Sequence, residues 1–137
     1  MLSNRKEIQV EWGDCDPAGI VYFPRFFEFF DACTNALFER AGFRKAEMLK
    51  HYGLLGIPLI EAGAQFYVPA AFGETVVVET RIVEWGNSSF RVEHKMYKGD
   101  VLAAEGRERR VWTVRDLLRQ SGMRSQAIPQ EVKDKFQ

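Results

Sequence analysis

Four phenylalanines fall within five residues, at Phe26, Phe27, Phe29 and Phe30, and they constrain the fold more than any other feature of the chain. From Pro24 to Ala41 the apolar residues Phe26, Phe30, Cys33, Leu37 and Ala41 recur at spacings of three and four, and Phe27, Phe29 and Phe38 widen the stripe. That period predicts a helix. Pro24 suits a first turn, where no ladder hydrogen is required of it, and Gly42 suits the left-handed position beyond the end. The first half of this helix is apolar around more of its circumference than a helix lying on the outside of a sheet requires, so other elements must surround it.

The flanking segments predict what surrounds it. Glu7 to Trp12 alternates, with Ile8, Val10 and Trp12 on the apolar face, and reads as a half-buried strand. A shorter helix is expected over Lys45 to Tyr52, stopped by Gly53. Beyond Gly56 the period becomes two, giving strands over Ile57 to Val68, Glu74 to Trp85, Ser89 to Tyr97 and Leu102 to Val114. Phe90, Val92, His94 and Met96 take the inner face of the third of these, and Arg91, Glu93 and Lys95 the outer. Short connections at Pro69 to Gly73, Gly86 to Ser88 and Lys98 to Asp100 make the pairing antiparallel. Gly122 to Gln137 has little apolar content and is expected to be peripheral or frayed. The expected fold is α+β, a curved antiparallel sheet of about five strands wrapped around a long central helix, in one domain over residues 1–137. A single-layer wrap leaves an edge and a face to cover, which predicts a homo-oligomer.

Charge and cysteine content narrow the function. Lys plus Arg equals Asp plus Glu at 19 each, so no global field draws the chain to nucleic acid or a bilayer. The N-terminus is charged at once, no stretch of about 18 apolar residues occurs, and Cys15 and Cys33 are too few for a disulfide framework. A reducing cytoplasm is expected, with neither membrane nor nucleic-acid partners.

The candidate chemistry lies in Gly13-Asp14-Cys15-Asp16-Pro17-Ala18-Gly19-Ile20-Val21-Tyr22-Phe23-Pro24, which sets carboxylates in a loop just before the long helix. A helix N-terminus offers unpaired amide hydrogens that can stabilise an oxyanion, and a nearby carboxylate can attack a carbonyl or activate water. The residues alone leave Asp14 and Asp16 open between this role and closing an Asx turn in their own loop. His94 reads as a satisfied core histidine, His51 as a helix-end residue, and Cys15 as a packing residue. Trp12, Trp85 and Trp112 read as core or interface residues. Arg107, Arg109, Arg110 and Arg115, interleaved with Glu105 and Glu108, read as a solvated strand face.

This motif, with Phe29-Phe30-Asp31 and Gly42 after it, resembles the 4-hydroxybenzoyl-CoA thioesterase family of hotdog-fold enzymes. The likeness continues through Pro58, Phe66, Pro69, Glu79, Glu84-Trp85 and Ser89-Phe90, and covers most of residues 5–115. The Asp-Cys-Asp-Pro-Ala-Gly form is closer to the 4-hydroxybenzoyl-CoA branch than to the short-chain acyl-CoA thioesterases. The resemblance implies that Asp16 is the catalytic carboxylate, as nucleophile or general base, and that the Phe23 backbone amide is the oxyanion donor. It also implies an aromatic or short acyl-CoA substrate, no metal or redox cofactor, and a dimer or a tetramer built from dimers. One departure stands out: the turn that carries phosphate-binding basic residues in this branch reads Gly86-Asn87-Ser88-Ser89 here. Two alternatives follow, a short-chain aliphatic acyl-CoA thioesterase and a non-catalytic acyl-CoA-binding protein of the same fold.

Overall fold

The computed structural model describes residues Met1–Gln137. The long helix is α1, Phe23–Arg40, with Pro24 in its first turn. It ends as expected: Gly42 takes φ +97°, and the Phe43 N–H donates to the Phe38 carbonyl at 2.9 Å, closing the last turn. Phe26, Phe30, Cys33, Thr34, Leu37 and Phe38 are buried along it, each large apolar side chain contributing about 1.5–3 kcal/mol. The second helix, α2, is Lys45–Tyr52, capped by Gly53 at φ +60°.

Five strands form the main sheet in the order β1-β4-β5-β6-β3, every neighbouring pair antiparallel. They are β1 Ser3–Gln9, β3 Leu59–Phe66, β4 Thr75–Trp85, β5 Ser89–Lys98 and β6 Val101–Val111. α1 packs against β1, β4 and β5. The alternation of β5 holds, with Phe90, Val92, His94 and Met96 buried. A smaller sheet, in the order β2-β7-β8, joins β2 Leu54–Gly56, β7 Thr113–Arg115 and β8 Met123–Ser125.

Several boundaries differ from the sequence expectation. The run Ile57 to Val68 is not one strand: the chain changes sheets at Ile57-Pro58, where proline has no ladder hydrogen to give. The run Leu102 to Val114 likewise passes between sheets at Trp112, whose N–H donates to the Ser88 carbonyl at 2.8 Å. Trp12 lies outside β1, in a 3-10 turn over Trp12–Asp14; it is 61% exposed, against the edge of Phe72. Alternation misplaces it because the strand ends at Gln9 and the chain turns.

The larger correction is the C-terminal segment, which is anchored. After β8 a short helix α3, Gln130–Asp134, carries Val132, and Ile128, Val132 and Phe136 are all buried. Phe136 packs on Phe38, Phe43 and Trp85, and its carbonyl accepts the Leu2 N–H at 2.9 Å. Three buried apolar residues in sixteen suffice because they close one end of the core around Phe38, Trp112 and Phe90.

Candidate active site

Residues 13–22 fold back on themselves before α1 begins. The Tyr22 N–H donates to the Asp14 carbonyl at 2.8 Å and the Asp16 N–H to the Ile20 carbonyl at 3.0 Å, so 14–16 lies alongside 20–22. The Val21 N–H donates to the Ala70 carbonyl at 2.8 Å, fastening the loop to the segment before β4. This sets Asp14 against Tyr22 at the helix start and Asp16 against Ile20, three residues before Phe23.

The two aspartates separate by what they bind. Asp14 Oδ2 accepts the Glu11 N–H at 2.9 Å and caps the preceding turn. Asp16 Oδ1 accepts the Ala18 N–H at 2.8 Å, an Asx turn, while its Oδ2 has no donor within the chain. The bland and the chemical readings of Asp16 therefore share one carboxylate: one oxygen shapes the loop and the other is free. The neighbouring Cys15 donates weakly to the Glu11 carbonyl at 3.5 Å, and burial together with the Asp14 and Asp16 carboxylates pushes its thiol up, away from a thiolate.

Phe23 opens α1, and its N–H has no acceptor within the chain. Pro24 follows with no N–H at all, so the Phe23 amide is the outermost free donor of the first turn. A cavity of about 310 Å³ begins at this residue, lined by Ile20, Val21, Phe23, Phe26, Phe66 and the segment from Tyr67 to Ala70. Eight of its nine lining residues are hydrophobic. Asp16 is not part of its wall but is paired with Ile20, which is. Phe23, Phe66 and Tyr67 are all exposed, so the cavity is open on the side of the β3 edge.

The Gly86–Ser88 turn has no basic residue of its own, but Lys133 of α3 donates to the Gly86 carbonyl at 3.0 Å. Sequence reasoning missed this contact, since 47 residues separate the two. It also misread part of β6. Arg107 and Arg109 face outward, whereas Glu108 and Arg110 are buried. Arg110 donates to Glu108 Oε1 at 2.7 Å, to the Ile57 carbonyl at 2.9 Å and to Asp31 of α1 at 2.7 Å. His94 is a satisfied core histidine as expected: Nε2 donates to Glu108 Oε2 at 2.9 Å and Nδ1 lies 2.8 Å from the Thr80 hydroxyl. Trp112 is core; Trp85 is partly buried against it. His51 is exposed at the end of α2.

A helix start at an apolar cavity in an α+β hotdog fold, preceded by a loop whose Asp16 carboxylate has a free oxygen, is an arrangement that can serve acyl transfer. The family model of the thioesterase-like superfamily matches residues 10–136, and the chain belongs to that family of thioester hydrolases. It is 33% identical over 114 residues to the 4-hydroxybenzoyl-CoA thioesterase of Pseudomonas sp. (strain CBS-3), a match covering 79% of this chain and 81% of the relative. An Asp-to-Asn mutant of a 4-hydroxybenzoyl-CoA thioesterase, solved with 4-hydroxybenzoyl-CoA, superposes with a TM-score of 0.89 and 27% identity, covering 98% of this chain and 99% of that one. A gentisyl-coenzyme A thioesterase superposes with a TM-score of 0.82 and 31% identity, covering 97% and 98%. No helix of the chain is long and apolar enough to cross a membrane.

Proposed function

We propose that this protein hydrolyses an aromatic acyl-CoA thioester to the free acid and coenzyme A, with Asp16 as the reacting carboxylate and the Phe23 amide as the oxyanion donor. The observation that carries the reading is the unpaired N–H of Phe23, a residue that lines the apolar cavity, with the Asp16 loop immediately before it in the chain. Asp16 Oδ2 adds to the thioester carbonyl while Phe23 N–H donates to the developing oxyanion. The C–S bond breaks, coenzyme A leaves as thiolate, and water cleaves the acyl-carboxylate anhydride to release the acid and restore the carboxylate. Asp16 acting as general base on water gives the same products. A thiolate is a good enough leaving group that these two groups suffice, and the reaction asks for no metal or redox cofactor.

The aromatic preference is supported by Phe23, Phe26, Phe66 and Tyr67 in the cavity wall and by the 4-hydroxybenzoyl- and gentisyl-CoA enzymes among the relatives. The functional unit in this reading is at least a dimer. β3 is an edge strand with an unpaired side, Leu59, Ile60, Phe66 and Tyr67 are exposed along it, and two of these lie in the cavity wall. A second copy on that edge covers the open side of the site. Two free cysteines suit a reducing, cytoplasmic setting.

The test is thiol release from 4-hydroxybenzoyl-CoA, benzoyl-CoA, phenylacetyl-CoA and butyryl-CoA, with wild type beside Asp16→Asn. Aromatic turnover lost in the variant supports the reading. Faster butyryl turnover moves the substrate class, and binding without turnover of any thioester replaces the enzyme with a binding protein.

A further inference from the structure

We infer that Thr34 is a positioning residue for the proposed reaction, setting the register of α1 on the sheet and thereby the place of the Phe23 amide. The inference rests on the reading that this amide is the oxyanion donor. Thr34 is fully buried on the apolar stripe of α1, where valine has the same shape, and the only hydroxyl among the buried side chains of the helix is its own. That hydroxyl donates to Glu108 Oε1 at 2.7 Å. Glu108 is itself held by His94 at 2.9 Å and Arg110 at 2.7 Å, so its carboxylate is a fixed target.

The neighbouring positions key the helix to the same strands. Arg110 reaches Asp31 at 2.7 Å, and the Phe30 ring stacks on the His94 ring with centroids 4.8 Å apart and planes 11° from parallel. Phe30 sits where a Cβ on Gly106 would come within 2.5 Å of its ring. Apolar contacts are non-directional and allow a helix to slide or roll on a sheet at small cost, whereas hydrogen bonds to a fixed carboxylate do not. Thr34 lies eleven residues beyond Phe23, about 16 Å along the axis at 1.5 Å per residue. Over that length an α-helix moves nearly as a rigid rod, so a shift at Thr34 reaches the first-turn amide.

The experiment compares Thr34→Val, which keeps the shape and removes the donor, with Thr34→Ser, which restores it. Thr113→Val serves as control, because the buried Thr113 hydroxyl donates to the Gly56 carbonyl in the smaller sheet and not to Glu108 or His94. Readouts are kcat and KM with the best aromatic CoA thioester, the Kd of a non-hydrolysable thioether analogue, and Tm. Thr34→Val is expected to lower kcat by about tenfold to a hundredfold, with KM and analogue Kd within about twofold of wild type. Thr34→Ser is expected to recover most of kcat, and Thr113→Val to lower Tm while leaving kcat near wild type. If kcat is unchanged in Thr34→Val, or falls in Thr113→Val as much as in Thr34→Val, the side chain is merely structural and the inference is overturned. A wild type that turns over no thioester removes the proposed function and this inference together. Wild-type turnover with unchanged kcat in Thr34→Val removes this inference alone.

Discussion

The Asp16 carboxylate accepts the Ala18 amide hydrogen through Oδ1 at 2.8 Å and leaves Oδ2 without a donor. An asparagine can keep the Oδ1 contact and the turn but presents an amide nitrogen where the free oxygen was. Asp16→Asn is therefore expected to fold with wild-type Tm and to lose about 10²- to 10⁴-fold in kcat. Thermal melting beside single-turnover kinetics checks both halves, and a mutant with full turnover would falsify the role given to Asp16.

Gly106→Ala is expected to destabilise the fold by about 1–3 kcal/mol, as overpacking does. The new methyl would meet Phe30 Cε2 and Cδ2 at 2.5 and 2.6 Å, and Phe30 has little room to retreat because it stacks on His94. Urea unfolding reads this directly; a neutral result would mean that the helix lifts from the sheet more easily than the packing implies.

Phe136→Ala is expected to cost about 3–5 kcal/mol, the range for truncating a buried phenylalanine. The ring contacts Phe38 at a centroid distance of 4.8 Å and is 97% buried, since only 3% of its surface is accessible. Chemical denaturation of the full chain measures it, and a loss below about 1 kcal/mol would return the segment to the peripheral role its composition suggests.

Acid stability should depend on Glu108. Burial acts to raise its carboxyl, but hydrogen bonds from His94 and Arg110 outweigh it and hold the group below the usual carboxylate range. The folded state thus favours the ionised form more than the unfolded chain does. That contribution is complete above the unfolded value of about 4.3 and is lost as pH falls through the lower folded value. Tm measured from pH 7 to pH 3 is expected to fall less steeply on the acid side in Glu108→Gln than in wild type, from a lower plateau at pH 7. Parallel acid limbs would show that other carboxylates dominate.

Charges on the β3 edge should separate the copies. Ile60→Asp with Ala62→Asp is expected to shift the protein from a dimer or larger species to a monomer in light scattering, with loss of turnover. A wild type that is monomeric and active would remove the second copy from the site.

What the sequence determined by itself was whatever repeats locally. The three-and-four spacing from Phe26 to Leu37 made α1, the alternation from Phe90 to Met96 set the inner face of β5, and Pro24 and Gly42 marked the helix ends. The carboxylate-bearing loop just before α1 was legible for the same reason, while the choice of Asp16 and of the Phe23 amide within it came from the family resemblance. Tertiary structure decided which members of an all-polar run went inside. In β6 the stretch from Arg107 to Arg110 carries a charge at every position, so its pattern names no buried face. Glu108 and Arg110 are buried because Thr34, Asp31, His94 and the Ile57 carbonyl, between 14 and 79 residues away, supply their hydrogen bonds. Phe136 was equally hidden, because one aromatic in a polar tail has no period, and only the cluster of Phe38, Phe43 and Trp85 gives it a place to be buried. Periodicity is a property of short segments, whereas the burial of a charge depends on partners that only the folded chain brings together.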